Sequence, residues 1–481
     1  MDNNSFICDT FLQPLPHFGR GCFLLCSDYS NKLLKSHNMK AYSLAHLNVP
    51  AIDIIKGMGN EKKNNEDNYL EYLSFVKAKQ IYGDLLPEEA LDRLKYELQI
   101  IKHRGASGYF LFLQDVVHTA QSELGVWIGP GRGTAAGCLL CYCLGITKID
   151  PLRHDLLFER FLNPDGITFP DIDIDTDDDG RERIISWLQQ KYGKECCVHI
   201  ASGTEVHHCG FVVADESIAN LAPTSTLDIE DSSGKQKRIN CVQYNDIKSL
   251  GLIKYDFIGL ETLTQLKDIC GLVKMKKGKD LDVEKIPIND NKTMDLFQRG
   301  HTDDIFLFSS NDMKKYLQEF KPTSFEDLVI LNCLYRPGSM DDIAAVIKQK
   351  YSTKPIEYII PCMKSVLHNT YGIIVYQEQI MMLSRLIADF NKSESALLRM
   401  AIGMFKKEIL PALRNQFIKG GIKNGYKKSA LEKLWNEIES KGRYIFNKSH
   451  SVCYTWLAYQ MAYLKANYPK EFVQVMEKYH S

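Results

Sequence analysis

No apolar run in the 481-residue chain approaches the ~20 residues that cross a bilayer as a helix, so no helical anchor is expected and no membrane is expected as a partner. The opening residues, MDNNSFICDTFLQPLPHFGR, lack a basic segment followed by an apolar one, and no export signal is read there. Internal repeats and long low-complexity segments are missing too, so the sequence shows no sign of a repeat architecture. The 14 cysteines are scattered, several in apolar settings such as GCLLCYCLG. That pattern predicts buried free thiols in a reducing cytoplasm rather than a disulfide framework. Cys138 and Cys141 form a CxxC, but no second pair follows at zinc spacing. His199, His207, His208 and Cys209 are ligating types close in sequence, yet without a paired spacing a zinc site is not expected.

Aspartate is absent from residues 391–481, which carry 16 Lys and Arg against seven Glu, a local charge of +9 in a chain whose net charge is −1. The first 390 residues are therefore acidic. A cation-holding body joined to a basic, tyrosine-containing region suits a protein that meets both a metal and a phosphate backbone. Composition otherwise is that of a globular protein, 44% hydrophobic and 25% charged, long enough for two or three domains.

What is present is concentrated in residues 170–180, PDIDIDTDDDG. Isoleucine and aspartate alternate with the period of a β-strand, so Asp171, Asp173 and Asp175 are expected on one face and Ile172 and Ile174 on the other. Three carboxylates on one face repel and call for a cation, as in two-metal phosphoryl chemistry. A calcium loop fits less well: Thr176 stands where that loop needs glycine, and no helix enters it. Asp177, Asp178 and Asp179, followed by Gly180, read as a solvated loop.

The polar run GNEKKNNEDN near residue 65 reads as a linker. Leu86 to Arg104 is predicted helical, with Pro87 in its first turn and Leu91, Leu94, Leu98 and Ile101 on one face. GVWIGPGRGTAAGCLLCYCLGI reads as a strand, a glycine turn and an apolar helix, and SWLQQKYG as a further helix. GLIKYDFIGL, residues 251–260, reads as a second strand that places Lys254 and Asp256 on one face. Beyond residue 275 the pattern is helical, with Thr323 or Ser324 as a cap and Glu326 closing a capping box from Thr323.

Nucleotidyl transfer by two metals needs a backbone cradle for a triphosphate, bridging carboxylates and cations against the phosphate charge. GPGRGT offers the cradle, with the following helix N-terminus aiming amides at it, Arg132 adding a fork and Thr134 a hydroxyl. Asp171 and Asp173 offer the carboxylates, and Asp256 a third from another strand. The order is that of a polymerase-β-like nucleotidyltransferase palm.

The segments GPGRGTAAG, ITKIDPLRHDLLFERFLNPDGITFPDIDID, SLGLIKYDFIGLETLT, LYRPGS, TYGIIVYQEQIM and YIFNKSHSVCYTWLAYQMAYLKANYPKEF closely resemble the α subunit of bacterial DNA polymerase III, the C-family replicative polymerase, from about residue 68 to 475. The resemblance implies an α+β chain: an N-terminal segment (1–67) without an intact exonuclease-type domain, a palm lacking the thumb insertion (68–272) and a truncated helical fingers domain (273–481). It implies that Asp171, Asp173 and Asp256 are catalytic and hold two Mg²⁺ ions. Lys254 matches a lysine beside the third carboxylate. Gly133 and Thr134 match the glycine-serine pair that touches the incoming dNTP triphosphate, with Thr134 in place of serine, next to the Arg132 fork. Arg336, in RPGS, and Asn447, Lys448, Ser449 and His450, in FNKSH, match finger residues near nucleotide or template.

Departures from the family accompany these matches. The first 70 residues show isolated His17, His37 and His46 where the family's N-terminal module has HxH clusters, so no exonuclease is expected from them. Gly203 and Thr204 run straight into HHCGFVVAD, where the family inserts a helical thumb. The clamp-binding, helix-hairpin-helix and OB modules would lie beyond Ser481, so sliding-clamp binding is not expected. A basic GKK pattern reads GMFKK, with Phe405 in its midst. The expectation is a cytoplasmic, Mg²⁺-dependent, template-directed DNA polymerase of low processivity acting on primer–template DNA. The rivals are a nucleic-acid-binding paralogue without catalysis and a template-independent nucleotidyltransferase.

Overall fold

The helices of eight or more residues are α1 (Asn65–Tyr82), α2 (Glu88–His103), α3 (Ser107–Ser122), α4 (Gly180–Tyr192), α5 (Glu261–Lys277), α6 (Asn291–Gln298), α7 (Asn311–Phe320), α8 (Phe325–Leu334), α9 (Asp341–Lys350), α10 (Gln377–Ala388), α11 (Lys392–Gly403), α12 (Leu410–Lys423), α13 (Lys428–Lys441), α14 (Lys448–Asn467) and α15 (Pro469–His480). The strands are β1 (Asp173–Thr176), β2 (Cys197–Ser202), β3 (Glu205–Val213), β4 (Thr224–Glu230), β5 (Gln236–Gln243) and β6 (Lys254–Gly259). This computed structural model describes residues 65–166, 168–230 and 236–480. His17, His37 and His46 lie outside them, as does most of the polar run near residue 65, whose last residues form the first turn of α1.

The class is α+β: one six-stranded mixed sheet, then a body of helices. Strand order is β1-β6-β3-β2-β5-β4. β1 and β6 are parallel, with Asp173 opposite Asp256, whereas β3 runs antiparallel to both β6 and β2. β2 and β3 are joined directly at Gly203–Thr204 as a hairpin, with Gly203 in the left-handed region (φ +63°).

Three sequence expectations need correction. β1 starts at Asp173, so Asp171 precedes the strand. The strand expected at GVWIG is a single antiparallel bridge, Ile128 to Thr176. That bridge, with the Gly129 amide donating to Asp175 O at 2.9 Å and the Asp177 amide to Trp127 O at 3.0 Å, covers the outer edge of β1 and carries the glycine turn to the carboxylates. Finally, Asp177 is not solvated: it is 2% exposed and pairs with Lys267 and Arg183.

Smaller differences follow from local chemistry. Pro87 is the N-cap of α2 rather than a first-turn residue. Ser324 caps α8 by accepting from the Asp327 amide at 3.2 Å. The reciprocal partner is Asp327, which accepts from the Thr323 amide at 2.8 Å, not Glu326.

The core behind the first half of the sheet joins α2, α3 and α4 to Ile172, Ile174, Tyr255 and Phe257, the apolar sides of the two aspartate strands. A second core wraps α14, which is apolar on nearly all sides and correspondingly buried. A third lies among α10 to α13 around Trp435 and Phe417. All eleven cysteines among the described residues are free thiols, nine of them buried. None of the described helices is long and apolar enough to cross a membrane.

Candidate active site

Parallel pairing in register sets Asp173 and Asp256 side by side at the edge of the sheet. Asp171 joins them from the residues before β1. One carboxylate oxygen from each lies within 4.8 Å of the others, and among the described residues this is the group whose ligand atoms converge so. Asp171 is exposed, Asp173 half-buried and Asp256 buried. Burial, reinforced by the charges of Asp171 and Asp256, pushes the Asp173 carboxyl up to about 7. Lys254, two residues from Asp256 on β6, pairs with it through a short contact. Burial alone would lower the lysine, but the bond to Asp256 holds it above its ordinary value. Three hard oxygen donors in mutual repulsion fit a divalent cation such as Mg²⁺.

Gly131 and Gly133 have φ of +122° and +63°. A Cβ on Gly131 would meet Thr147 Cγ2 at 3.0 Å, so the turn needs glycine there for both conformation and space. The turn leads into a three-residue 3₁₀ turn, Ala135–Gly137, and then Leu139–Cys143, not into a long helix. The expected helix N-terminus is therefore short. Thr134 stands at its start without a side-chain capping bond.

FNKSH reaches this turn from α14. Asn447 caps α14 by accepting from the Ser449 amide at 3.0 Å and donates its own amide to Gly133 O at 2.7 Å. His450 Nδ1 accepts from the Gly133 amide at 3.1 Å. The Gly133 peptide is thus held on both sides by one helix end. Burial, with Arg132 and Arg336 nearby, lowers His450 to about 4, so its ring is neutral.

Lys448 is directed elsewhere. Its ammonium donates to His154 O at 2.6 Å, and its backbone amide meets the Glu378 carboxylate at 3.1 Å. The Ser449 hydroxyl is buried without a hydrogen bond. Arg336 lays its guanidinium 3.2 Å from the Phe446 ring centre, with its buried Nε unbonded. Of the expected nucleotide-binding residues, then, Arg132, Gly133, Asn447 and His450 come together, Lys254 joins the carboxylates, and Lys448 ties the helix to its own scaffold.

Asp175, grouped with the carboxylates by its alternation, is 1% exposed and takes a different partner set. It accepts from Arg132 Nη1 at 2.9 Å and from the Tyr454 hydroxyl at 3.1 Å. Arg132 Nε remains 4.0 Å from Asp173. Asp175 therefore fixes the guanidinium beside the converging carboxylates. Tyr454 was not singled out by sequence reasoning, although it lies one helical turn beyond His450 and stacks on it at 4.2 Å.

Glu97 was missed as well. Fully buried on α2, it accepts from Arg93 Nε at 2.6 Å and from the Leu139 and Leu140 amides at 3.0 and 2.8 Å. Arg93 also donates to Gly137 O at 2.7 Å. The pair anchors the segment after the glycine turn, and no local pattern in α2 signals it. His199, which faces Phe211, and His207, which stacks on Tyr244, form no ligand cluster with Cys209.

Two family descriptions match parts of the chain that carry this framework. Residues 68–206 match the bacterial DNA polymerase III alpha NTPase domain, and residues 262–425 the bacterial DNA polymerase III alpha subunit finger domain. Among curated proteins, the DNA polymerase III subunit alpha of Aquifex aeolicus is 34% identical over 483 residues, 81% of this chain and 41% of its own length. That of Halalkalibacterium halodurans is 35% identical over 480 residues, 85% of this chain and 43% of its length. That of Staphylococcus aureus is 32% identical over 482 residues, 85% of this chain and 44% of its length. The chain belongs to the family of bacterial DNA polymerase III alpha subunits. It spans less than half the length of these relatives.

Proposed function

We propose that the chain is a template-directed DNA polymerase that adds a dNTP to a primer 3′-hydroxyl with release of pyrophosphate. The observation that carries this reading is the convergence of Asp171, Asp173 and Asp256 from the β1 and β6 edge. Residues 68–272 serve as palm and 273–481 as fingers, with primer–template DNA, dNTPs and Mg²⁺ as partners.

The three carboxylates would hold two divalent cations, which would supply charge neutralisation for the triphosphate and would make the primer hydroxyl more acidic. Arg132, aimed by Asp175, presents a guanidinium toward the same space, and Lys254 steadies Asp256 between turnovers. Thr134 offers a hydroxyl at the rim of the turn. His450 on the Gly133 amide and Asn447 on its carbonyl hold the turn in place beside the carboxylates. Direct joining of β2 to β3 leaves no thumb at that point of the sheet, and because duplex grip rests on phosphate contacts, processivity is low.

Primer extension with Mg²⁺ and dNTPs, comparing the natural chain with Asp173→Ala, tests the reading. Activity unchanged in the variant would overturn it. Metal binding in calorimetry without extension on any primer would favour a binding-only protein, and extension of single strands regardless of template would favour a template-independent transferase.

A further inference from the structure

The fingers expose an aromatic residue in an unusual setting. Phe405 follows α11 with a left-handed backbone, φ +49°, a conformation that disfavours a bulky side chain. It is 38% exposed, and Met404 before it is 55% exposed. The Arg443 guanidinium lies over the ring at 3.4 Å, and Lys407 Nζ is 4.9 Å from its centre. Arg443 and Lys407 are exposed and Lys406 half-buried. The arrangement is built: Gly442 closes on α11 so tightly that a Cβ there would sit 1.9 Å from Ile402 Cγ2, and this contact brings residues 441–444 over 402–405.

This patch is the outer end of a continuous series. Tyr444, 49% exposed, packs on Gly338 of RPGS, where a Cβ would lie 2.2 Å from its ring. Phe446 carries Arg336 on its face and meets His450 at 5.4 Å. His450 stacks on Tyr454, and the Arg132 guanidinium is 5.8 Å from that ring. Arg132 in turn approaches Asp173 at 4.0 Å. From the carboxylates outward, Arg132 meets the packed rings of Tyr454, His450 and Phe446, and Arg336 lies on the far ring of that set.

An exposed ring backing an exposed guanidinium, with two lysines beside them, fits an unpaired nucleobase, whose face stacks on the planar group while its phosphates meet the cations. We infer that Arg443 stacked on Phe405, with Lys406 and Lys407, is a landing site for a nucleobase of the single-stranded template beyond the active site. The inference rests on the polymerase reading only in naming that strand as template. Phe405 accepts its strained backbone because the ring backs the guanidinium on which the base lies.

The test uses the full chain and primer–template duplexes with a 5′ template overhang of either about 12 nucleotides, within the site size of such binders, or a single nucleotide, with affinity read by fluorescence anisotropy. Phe405→Ala and Phe405→Gly are expected to weaken binding of the long overhang about tenfold and leave the short one unchanged, while Phe405→Trp retains the natural affinity. Phe405→Gly suits the left-handed backbone, so its melting temperature does not fall, which separates lost stacking from lost folding. Equal affinity of all variants for the long overhang, or equal loss on both substrates, would overturn the inference. Phe405-dependent overhang binding without primer extension would uphold it while removing the polymerase reading. Extension with Phe405-independent affinity would do the reverse.

Discussion

The side-chain amide of Asn447 donates to the carbonyl of Gly133 at 2.7 Å, across 314 positions of sequence. With His450 on the amide of the same glycine, this bond makes the start of α14 part of the glycine turn. Turn and α14 are joined as one structural element. A shift of α14 changes the presentation of the turn beside the converging carboxylates, and the following expectations build on that connection.

Asp173→Asn is expected to reduce primer extension by about 10²–10³-fold, the scale for removing one charge-stabilising group from an active site. The same variant relieves repulsion among Asp171, Asp173 and Asp256, so in EDTA its melting temperature rises. Added Mg²⁺ then stabilises the natural chain more than the variant. Differential scanning fluorimetry with and without the metal checks both halves.

Tyr454→Phe removes one of the donors to buried Asp175. An unsatisfied buried acceptor costs about 1–3 kcal/mol, which urea unfolding measures. With Asp175 less firmly held, Arg132 loses its fixed direction, and the apparent KM for dNTP rises more than kcat falls. Arg132→Lys shows the same bias toward KM, because a lysine lacks the fork that meets Asp175 and Asp173 together.

Glu97→Ala leaves Arg93 and the Leu139 and Leu140 amides without their shared acceptor. Breaking such a buried pair is expected to destabilise by about 3–5 kcal/mol in chemical unfolding. Glu97→Gln keeps an oxygen for the amides and is expected to lose less.

His154 gives an acid-side dependence. Burial first, then the charges of Lys448 and Arg153, lower its imidazole from the ordinary 6.5 to about 4. Above pH 6.5 both folded and unfolded chains hold it neutral, and it contributes nothing. As pH falls from 6.5 toward 4 the unfolded chain takes up a proton that the folded chain does not, so stability is lost across that window. His154→Gln is expected to flatten the decline in melting temperature between pH 7 and 5, compared with the natural chain.

Legibility in the sequence followed the range of each interaction. PDIDID announced its alternation because a strand has a period of two, and KYD placed Lys254 beside Asp256 for the same reason. The exact start of β1 was not readable, since Asp171 meets the other carboxylates without being in the ladder. Asp177 looked like solvent-facing charge because its partners, Lys267 and Arg183, belong to other helices. The capping partner of α8 was misassigned between Glu326 and Asp327 because both are acidic neighbours and only one closes on Thr323. Tyr454 and Glu97 each have a neighbour one helical turn away, His450 and Arg93, but the partners that give them their roles lie more than 40 positions off.

By itself the sequence determined the α+β class, the family resemblance, the carboxylate set and the residues of the glycine turn, because periodicity, glycine conformational needs and clustered charge are local and survive in one dimension. Tertiary structure alone decided that Asp175 steers Arg132 rather than joining the three converging carboxylates, that Lys448 is tied to His154, and that Asn447 and His450 bracket Gly133. Those outcomes depend on which buried donor finds which acceptor when distant segments pack. In a water-poor interior each polar group must be satisfied by whatever neighbour the fold supplies.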